Sequence, residues 1–510
     1  MGSTRRGMVD VLLEGGGPDA TPDGLSTGAS VSGPLDPPDE RRLTWLRLSR
    51  RWWPVAAVLV IVLLTTSVVA DGRERHRIAA LADVPGVLAP LGASVTQKWY
   101  ADEGQYQVVG STADLVIAEL DRADGRGAVV GLAMTSGDIA WEAALWPDGA
   151  ANFGAQCAAP SSRPATVVVC VVVDEIEEVM VGTVVGASFP SKARLLVLDA
   201  SDGTVLADGP TDPSSTPFFA ESDLVIGQVR SDGRFQVSRQ STWDAPPRWT
   251  FTTPEPLGVD EFGHRAAWAT AAGDLVQVES WSMSTSGGAR LSWVLAGDGS
   301  VLRSPRVSDA AGYGDGYGTL RRGRLLTEPG GASGSGYTTL FDLATNSQFR
   351  VDAHPFDAVP DDGSLDDLLL AQSPSGHDLI AISIASGRPL WTVPSPSTSG
   401  AMVIEGRIIR VETDRLVSID GRTGETLWSM PLDEASVAAA RYQPMATSLF
   451  TDGRVVLFAG ADPSRSLEVT AYGLADGREL WSSTLPRGTW LSELDGKLIG
   501  WFEQTLLGLG

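Results

Sequence analysis

The chain has 510 residues, 43% of them hydrophobic, and is therefore long enough to bury a large core. Its 57 Gly and 31 Pro interrupt the chain more often than helical proteins tolerate, which favours an all-β fold. The formal net charge is −24, and because the first 53 residues hold seven Arg and seven acidic residues, the negative charge lies beyond residue 70. Such a surface repels phosphate backbones, which argues against nucleic acid as a partner.

The first 70 residues predict a disordered tail followed by a membrane anchor. Residues 1–40 are rich in Gly, Pro, Ser and Asp and cannot bury enough apolar surface to offset the entropy of ordering. Residues 41–53 form a basic juxtamembrane segment, and residues 54–70 are an uncharged apolar run that predicts one transmembrane helix. A cleaved signal peptide is the alternative, but the run begins far into the chain and no small-residue cleavage pattern precedes Asp71.

The charges that flank this span predict its orientation. Five Arg precede the span, whereas the three Arg that follow it are diluted by Asp71 and Glu74. Because positive charge accumulates on the cytoplasmic side, the N-terminus is predicted to be cytoplasmic and the remainder of the chain extracytoplasmic. Residues 71–94 follow as a linker with a short helix, interrupted by Pro.

The only two cysteines, Cys157 and Cys170, both follow the predicted span. A sole pair close in sequence and outside the cytoplasm is a candidate disulfide. Two buried thiols are the alternative, since Cys170 lies in the apolar run "VVVCVVV".

A short pattern recurs beyond residue 95 and predicts a repeated β-hairpin. "TSGDIAW", "ASGRPLW", "RTGETLW" and "ADGRELW" each place Gly four residues before Trp, with an alternating apolar strand just upstream. The Gly permits the positive φ of a tight turn, and the Trp supplies a flat apolar ring that can fill the space between sheets. These structural repeat residues are Gly137, Trp141, Gly387, Trp391, Gly424, Trp428, Gly477 and Trp481.

Weaker copies lie between these four units and give the period of a propeller blade. They centre on Gly203, Ala245, Gly299 and Asn346, and successive centres lie 37 to 66 residues apart. The clearest unit reads as four antiparallel strands, "AMVIEG", "RIIRVE", "RLVSID" and "TLWSM". Residues 95–510 therefore predict an all-β fold, a β-propeller of about eight four-stranded blades within a range of seven to nine. The strand near Trp99 and the last strands are each incomplete as a blade, so the termini are expected to pair.

This pattern resembles the PQQ-like repeat of the quinoprotein dehydrogenase-like superfamily, in which an alternating strand precedes Asp, a Thr-Gly or Asp-Gly turn and Leu-Trp. The resemblance covers about residues 95 to 510 and is most specific in the four units that end in Trp. It implies that the Trp of each of those units packs between adjacent blades. The weaker copies carry Ala207, Arg303 and Arg350 at the Trp position.

The residues that would carry quinoprotein chemistry are not found. Quinone-dependent members hold the cofactor with a calcium ion and a disulfide between adjacent cysteines, whereas Cys157 and Cys170 lie thirteen positions apart. The four His are scattered without ligand spacing, and "DDGSLDD" at 361–367 does not follow the EF-hand register. "GYGDGYG" lacks the flanking elements of a dinucleotide site, and no Gly-x-Ser-x-Gly elbow occurs. The sequence therefore predicts no catalytic, cofactor-binding or metal site and no enzymatic activity.

Repeats without a catalytic constellation predict a protein-binding or scaffold module that is anchored in the bacterial cell membrane and faces the envelope. The expected partner is an envelope or membrane protein, bound through the long insertions at Trp146–Lys192 and Ser308–Ser335. One alternative is a sensor that binds a small ligand or glycan at the channel mouth. A quinone-dependent dehydrogenase is the other.

Overall fold

The ranges of the chain described by the computed structural model begin at residue 72. They are 72–146, 153–160, 164–181, 184–257, 266–282, 289–304, 319–321, 325–330, 337–396, 400–432, 448–460, 466–502 and 505–510. The predicted tail, juxtamembrane segment and span all lie outside these ranges. Inside them, no helix is both long enough and apolar enough to cross a membrane.

The described residues form one helix, at 72–82, and 37 strands in nine sheets, which we number as blades 1 to 9. Blade 1 contains β2 Gln105–Ser111, β3 Leu115–Asp121, β4 Gly127–Ala133 and β5 Ile139–Ala144. Blade 2 contains β6 Ala155–Ala158, β7 Val167–Val181, β8 Val184–Asp199 and β9 Val205–Thr211. Blade 3 contains β10 Thr216–Ala220, β11 Asp223–Val229, β12 Phe235–Gln240 and β13 Trp249–Thr252. Blade 4 contains β14 Ala266–Ala272, β15 Leu275–Ser282, β16 Ala289–Leu295 and β17 Val301–Arg303. Blade 5 contains β18 Thr319–Arg321, β19 Leu325–Gly330, β20 Tyr337–Asp342 and β21 Ser347–Val351. Blade 6 contains β22 His354–Pro355, β24 Leu368–Gln372, β25 Asp378–Ser383 and β26 Pro389–Pro394. Blade 7 contains β23 Ala358–Asp361, β27 Ala401–Ile404, β28 Arg407–Val411, β29 Arg415–Asp420 and β30 Thr426–Pro431. Blade 8 contains β31 Ser448–Thr451, β32 Val455–Gly460, β33 Ser466–Gly473 and β34 Glu479–Arg487. Blade 9 contains β35 Trp490–Leu494, β36 Lys497–Phe502, β37 Thr505–Leu509 and β1 Gln97–Ala101.

Neighbouring strands within a blade run antiparallel, except that β23 adds to blade 7 in parallel with β27. The middle strands are buried on both faces: β4 and β29 are almost wholly buried. The fourth strands are more exposed, as the pattern along β9 illustrates. This distribution follows because each sheet is covered on both faces by its two neighbours, whereas its last strand lies at the outer rim.

Nine hydrophobic clusters in the described part of the chain join the blades into a closed ring. Each cluster contains residues from two consecutive blades. The cluster that closes the ring packs Ile499 and Leu506 of blade 9 against Val116 of blade 1. Antiparallel pairing of β1 with β37 completes blade 9, so the predicted pairing of the termini is confirmed.

Nine blades exceed the estimate of eight and equal the upper end of the predicted range. The eight centres counted in the sequence each mark the turn between the third and fourth strands of a blade. In blade 9 these two strands, β37 and β1, come from opposite ends of the chain, so no turn connects them. The ninth blade therefore lacks the turn between third and fourth strands that marks the other eight blades in the sequence.

The repeated Gly and Trp meet across blade interfaces. Trp428 of blade 7 lies against Gly477 of blade 8, where an added Cβ would be 2.7 Å from the indole ring. The Trp428 Nε1–H donates to the carbonyl of Leu474 at 3.1 Å. Gly477 has a φ of 69°, so this position requires Gly both for its conformation and for the close approach. The same arrangement pairs Gly137 with Trp99, Gly203 with Trp141, Gly299 with Trp249 and Gly424 with Trp391.

Blade 5 places Phe349, and not Arg350, at the position of the repeated Trp. In the units that end in Trp, a β-bulge displaces the fourth strand just before the Trp, as it does at Trp391. Pairing of β20 with β21 has no such shift, and Leu340 lies directly opposite Phe349. An added Cβ at Gly387 of the next blade would lie 2.5 Å from the Phe349 ring. Assigning this position to Arg350 from the repeat spacing was wrong, because the spacing assumes the bulge.

Residues 72–96, which we call the strap, pack onto blades 7, 8 and 9. Leu81 and Val87 enter the cluster between blades 7 and 8, and Leu88 and Val95 enter the next cluster. The Leu88 N–H donates to the Thr451 carbonyl at 2.7 Å. The predicted linker of residues 71–94 is thus largely folded onto the propeller.

A buried carboxylate, Asp452, fixes the strap to blade 8. It accepts hydrogen bonds from the backbone N–H groups of Leu91 at 3.0 Å and Val455 at 2.9 Å, and from the side chain of Arg454 at 2.8 Å. Burial alone would raise the pKa of Asp452, but these hydrogen bonds outweigh burial and hold the pKa below its usual range. The carboxylate therefore stabilises the fold when it is charged.

Asp452→Asn is expected to lower the free energy of unfolding by about 2 kcal/mol and to speed hydrogen exchange at the Leu91 amide. Because the folded pKa of Asp452 is depressed, its contribution is present above the unfolded pKa and is lost as the pH falls through the folded value. The variant should therefore lose part of the acid sensitivity of the wild type, measured by urea unfolding between about pH 2 and 5. Asp414→Asn, at an exposed carboxyl, is the matched control. Equal behaviour of the two variants would contradict the assignment.

Candidate functional site

Side chains that could carry chemistry are dispersed over the propeller. Among the described residues, no group of three or more His, Cys, Asp or Glu is placed to hold a metal ion. Seven of the eight structural repeat residues lie directly against the ring or glycine of an adjacent blade. Trp481, the eighth, packs against the cluster between blades 8 and 9. These residues build the ring, and any binding site must be sought elsewhere.

Cys157 and Cys170 lie opposite each other on β6 and β7 of blade 2 and form a disulfide. Cys170 is fully buried in the cluster between blades 1 and 2. The Cys157 N–H donates to the carboxylate of Glu119 in blade 1 at 2.9 Å. Burial raises the pKa of Glu119, and this hydrogen bond offsets only part of the rise. The disulfide thus joins two strands of blade 2 beside a polar contact to blade 1.

Reduction of the disulfide is expected to lower the free energy of unfolding by about 3 kcal/mol, because the bond closes a loop over a sequence separation of 13 residues. The measurement is the melting temperature of the intact chain with and without reductant. A Cys157→Ser, Cys170→Ser double variant should melt near the reduced wild type and should not respond to reductant. A response of that variant would show that the reductant acts elsewhere.

Two adjoining cavities are lined by residues of the first strands of blades 7, 8, 9 and 1. The first has a volume of about 440 Å³ and is enclosed by the strap, β23, β31 and β35, with Gly86, Val359 and Phe450 among its lining residues. The second, about 410 Å³, lies between β35 and β2 and includes Tyr106 and Trp501. Both are largely apolar, with a few polar groups, as is common in sites for small ligands.

Glu493 on β35 lines both cavities, together with Ser492. Burial raises the pKa of the Glu493 carboxyl above its ordinary value, and the nearby Asp495 adds to this effect. The Gly496 N–H, which donates to Oε1 at 2.6 Å, opposes it. Glu493 therefore offers a carboxyl group that can accept hydrogen bonds at the wall shared by the two cavities. Nothing in "LSELDG" marks this residue as half-buried, so sequence reasoning did not find it.

Blade 2 carries the longest strands of the described residues, β7 with 15 residues and β8 with 16. Within the blade, β7 pairs with β6 up to Val172, and β8 pairs with β9 up to Ala193. Beyond these points β7 and β8 pair only with each other, from Glu175 opposite Lys192 to Val181 opposite Val184. We call this two-stranded extension, residues 174–181 and 184–192, the arm.

The base of the arm is fixed to blade 2 and the preceding loop. The Trp146 Nε1–H donates to the carbonyl of Val173 at 2.8 Å. Arg194 forms ion pairs with Asp174 at 3.1 Å and Asp208 at 3.0 Å and also donates to the carbonyl of Leu145. The arm therefore extends from blade 2 at a base that these hydrogen bonds and ion pairs fix in place. It lies within the insertion at Trp146–Lys192 that the sequence predicts as a contact surface, whereas the insertion at Ser308–Ser335 lies largely outside the described residues.

A closed ring of four-stranded antiparallel sheets, held by a repeated Gly and Trp contact, defines a β-propeller. Residues 337–499 match a PQQ-repeat family described as outer membrane protein assembly factor BamB. This chain is thus a β-propeller protein, and the predicted resemblance to PQQ-like repeats is confirmed for residues 337–499. No curated protein matches the chain in sequence.

Several solved structures are similar to this chain at low identity. BamB from Moraxella catarrhalis is 16% identical, with 83% of this chain and 99% of that chain covered and a TM-score of 0.38. A europium-containing methanol dehydrogenase is 11% identical, with 76% and 87% covered and a TM-score of 0.33. A eukaryotic initiation factor is 9% identical, with 77% and 91% covered and a TM-score of 0.44. These values are too low to bear on function.

Proposed function

We propose that this chain is a membrane-anchored propeller that binds proteins in the bacterial cell envelope and acts there as a scaffold. The observation that carries the proposal is the match of residues 337–499 to a family described as an outer membrane protein assembly factor. The predicted span at 54–70, with the N-terminus in the cytoplasm, would place the propeller outside the cytoplasm. The disulfide between Cys157 and Cys170 supports this location, because such bonds persist in oxidising compartments.

The test is covalent crosslinking of the full chain in its native membrane, followed by mass spectrometry of peptides attached beyond residue 70. We expect one reproducible envelope protein to be crosslinked to a single region of the propeller. The control is a chain that ends after residue 94, which keeps the predicted anchor without the propeller. Capture of the same protein by this control, or of unrelated neighbours only, would contradict a scaffold role.

A second candidate function is the binding of a small polar ligand at the channel mouth. It is favoured by the two cavities that share Ser492 and Glu493. A panel of sugars and amines should contain a compound that raises the melting temperature of the full chain, because binding to the folded state alone stabilises it. Glu493→Gln should reduce that rise. The absence of any shift across the panel would count against this function.

A further inference from the structure

We propose that the arm binds its partner by strand addition, and that the partner strand carries Lys or Arg and pairs with the free edge of β7. This inference deepens the proposed function and rests on it for the location of the partner in the envelope. It names the surface, the backbone mode of contact and the charge of the partner segment.

From Glu175 to Val181, β7 has a paired strand on one side only among the described residues. In an antiparallel ribbon, alternate residues direct their N–H and C=O groups away from the paired strand. These groups can form the hydrogen bonds of one further strand. A two-stranded ribbon is only marginally stable in water, so a third strand would stabilise the arm as well as bind to it.

The two edges of the arm differ in their backbone donors. The edge of β8 contains Pro190, which is exposed and has no N–H to donate. The described part of β7 in the arm contains no Pro, so each of its residues keeps an N–H, although the register of β7 against β8 shifts at Glu175 and between Val179 and Met180. Strand addition is therefore expected at β7 and disfavoured at β8.

The arm also carries acidic side chains along β7. Asp174 and Glu175 are paired with Arg194 and Lys192, respectively. Glu177 and Glu178 are exposed, and neither forms an ion pair within the described residues. These two unpaired carboxylates on β7 favour a strand that brings positive charge opposite them.

A second copy of this chain fits the same edge poorly. Antiparallel pairing of two β7 edges would bring the carboxylates of Glu177 and Glu178 close to those of the other copy, and like charges across strands are destabilising. Acidic residues on an edge strand also prevent unspecific aggregation. A strand that carries Lys or Arg can still pair with this edge, because its charge is opposite to that of Glu177 and Glu178.

The test uses the full chain in phosphatidylcholine nanodiscs and two fluorescent peptides of about ten residues with alternating Val and Lys. The second peptide has the same sequence but is N-methylated at alternate residues, which keeps the charge and removes the hydrogen bonds of one edge. Anisotropy titrations should show about tenfold weaker binding of the methylated peptide. A Glu177→Lys, Glu178→Lys double variant should weaken binding of the unmodified peptide by at least about tenfold.

The matched control is a Glu425→Lys, Glu479→Lys double variant, which makes the same change of charge at exposed positions on blades 7 and 8. It should bind the unmodified peptide as the wild type does. Equal affinity for the two peptides, or equal effects of the two double variants, would overturn the inference by reducing the interaction to unspecific attraction.

Failure of the inference and failure of the proposed function can be told apart. A photoreactive residue at position 178 should crosslink in the native membrane to the envelope partner, through a segment that contains Lys or Arg. If that partner crosslinks to the propeller but never through the arm, strand addition is wrong and the scaffold function stands. If the peptides behave as expected but no envelope protein is captured, the mode of binding stands and the scaffold function is wrong.

Discussion

Trp428→Ala is expected to lower the free energy of unfolding by about 3 to 5 kcal/mol. The side chain is 8% exposed and belongs to the cluster between blades 7 and 8. Its removal leaves a cavity between two sheets and leaves the Leu474 carbonyl without its indole donor. The measurement is the urea midpoint of the full chain, compared with that of the wild type.

Leu427→Ala is the matched control, because Leu427 precedes Trp428 on the same strand but is 46% exposed. Its cost should be within about 0.5 kcal/mol. A large loss for both variants would show that β30 as a whole, and not the ring of Trp428, determines stability.

Gly477→Ala tests the partner of the same contact. Gly477 and Gly376 both have positive φ, at 69° and 74°, but an added Cβ meets the Trp428 ring only at Gly477 and nothing within 4 Å at Gly376. Both variants incur the conformational penalty of about 1 kcal/mol, and only Gly477→Ala should incur a further loss from displacement of the ring. Equal midpoints for the two variants would contradict the close approach as a requirement of the repeat.

The propeller could be predicted from the sequence because its signals are local. The alternation in "RLVSID" and the turn before Trp428 lie within about twenty residues, and blade 7 has the four strands expected. Phe349 could not be placed, since its register depends on a bulge that blade 5 lacks. The ninth blade was uncertain because its strands are brought together by the ends of the chain.

The candidate sites were much less accessible to sequence reasoning because they depend on what neighbouring strands do. The run from Val167 to Val181 predicts a strand, but it becomes an arm only because β6 ends opposite Val172. Glu493 becomes half-buried only because blades 8 and 1 approach it from two sides. Arg410, in "RIIRVE", looks solvent-facing by its charge, yet both faces of β28 are covered.

Arg410→Met is expected to leave the protein as stable as the wild type or to stabilise it by about 1 to 3 kcal/mol. The Arg410 side chain is 1% exposed, and its Nη2–H donates to Gln372 at 2.9 Å. Its Nε and Nη1 have no hydrogen-bond partner among the described residues. Burial lowers the pKa of Arg410 from 12.5 to about 10, and Glu412 opposes this only in part. Such a lowering corresponds to about 3 kcal/mol of destabilisation by the buried charge at neutral pH.

Two comparisons separate charge from packing at this position. Arg410→Ala removes the same charge but leaves a cavity, so it should destabilise the protein by about 2 to 4 kcal/mol. Because the folded pKa of Arg410 lies below the unfolded value, the unfolded chain binds more protons between about pH 10 and 12, and this group makes the wild type more stable as the pH rises through that range. The difference in urea midpoint between wild type and Arg410→Met should therefore shrink above about pH 10. Arg410→Met could instead lose as much stability as Arg410→Ala. That result would mean that the guanidinium is fully paired in the folded protein. Only a fully paired charge would stabilise the interface between blades 6 and 7 more than a methionine of similar length does.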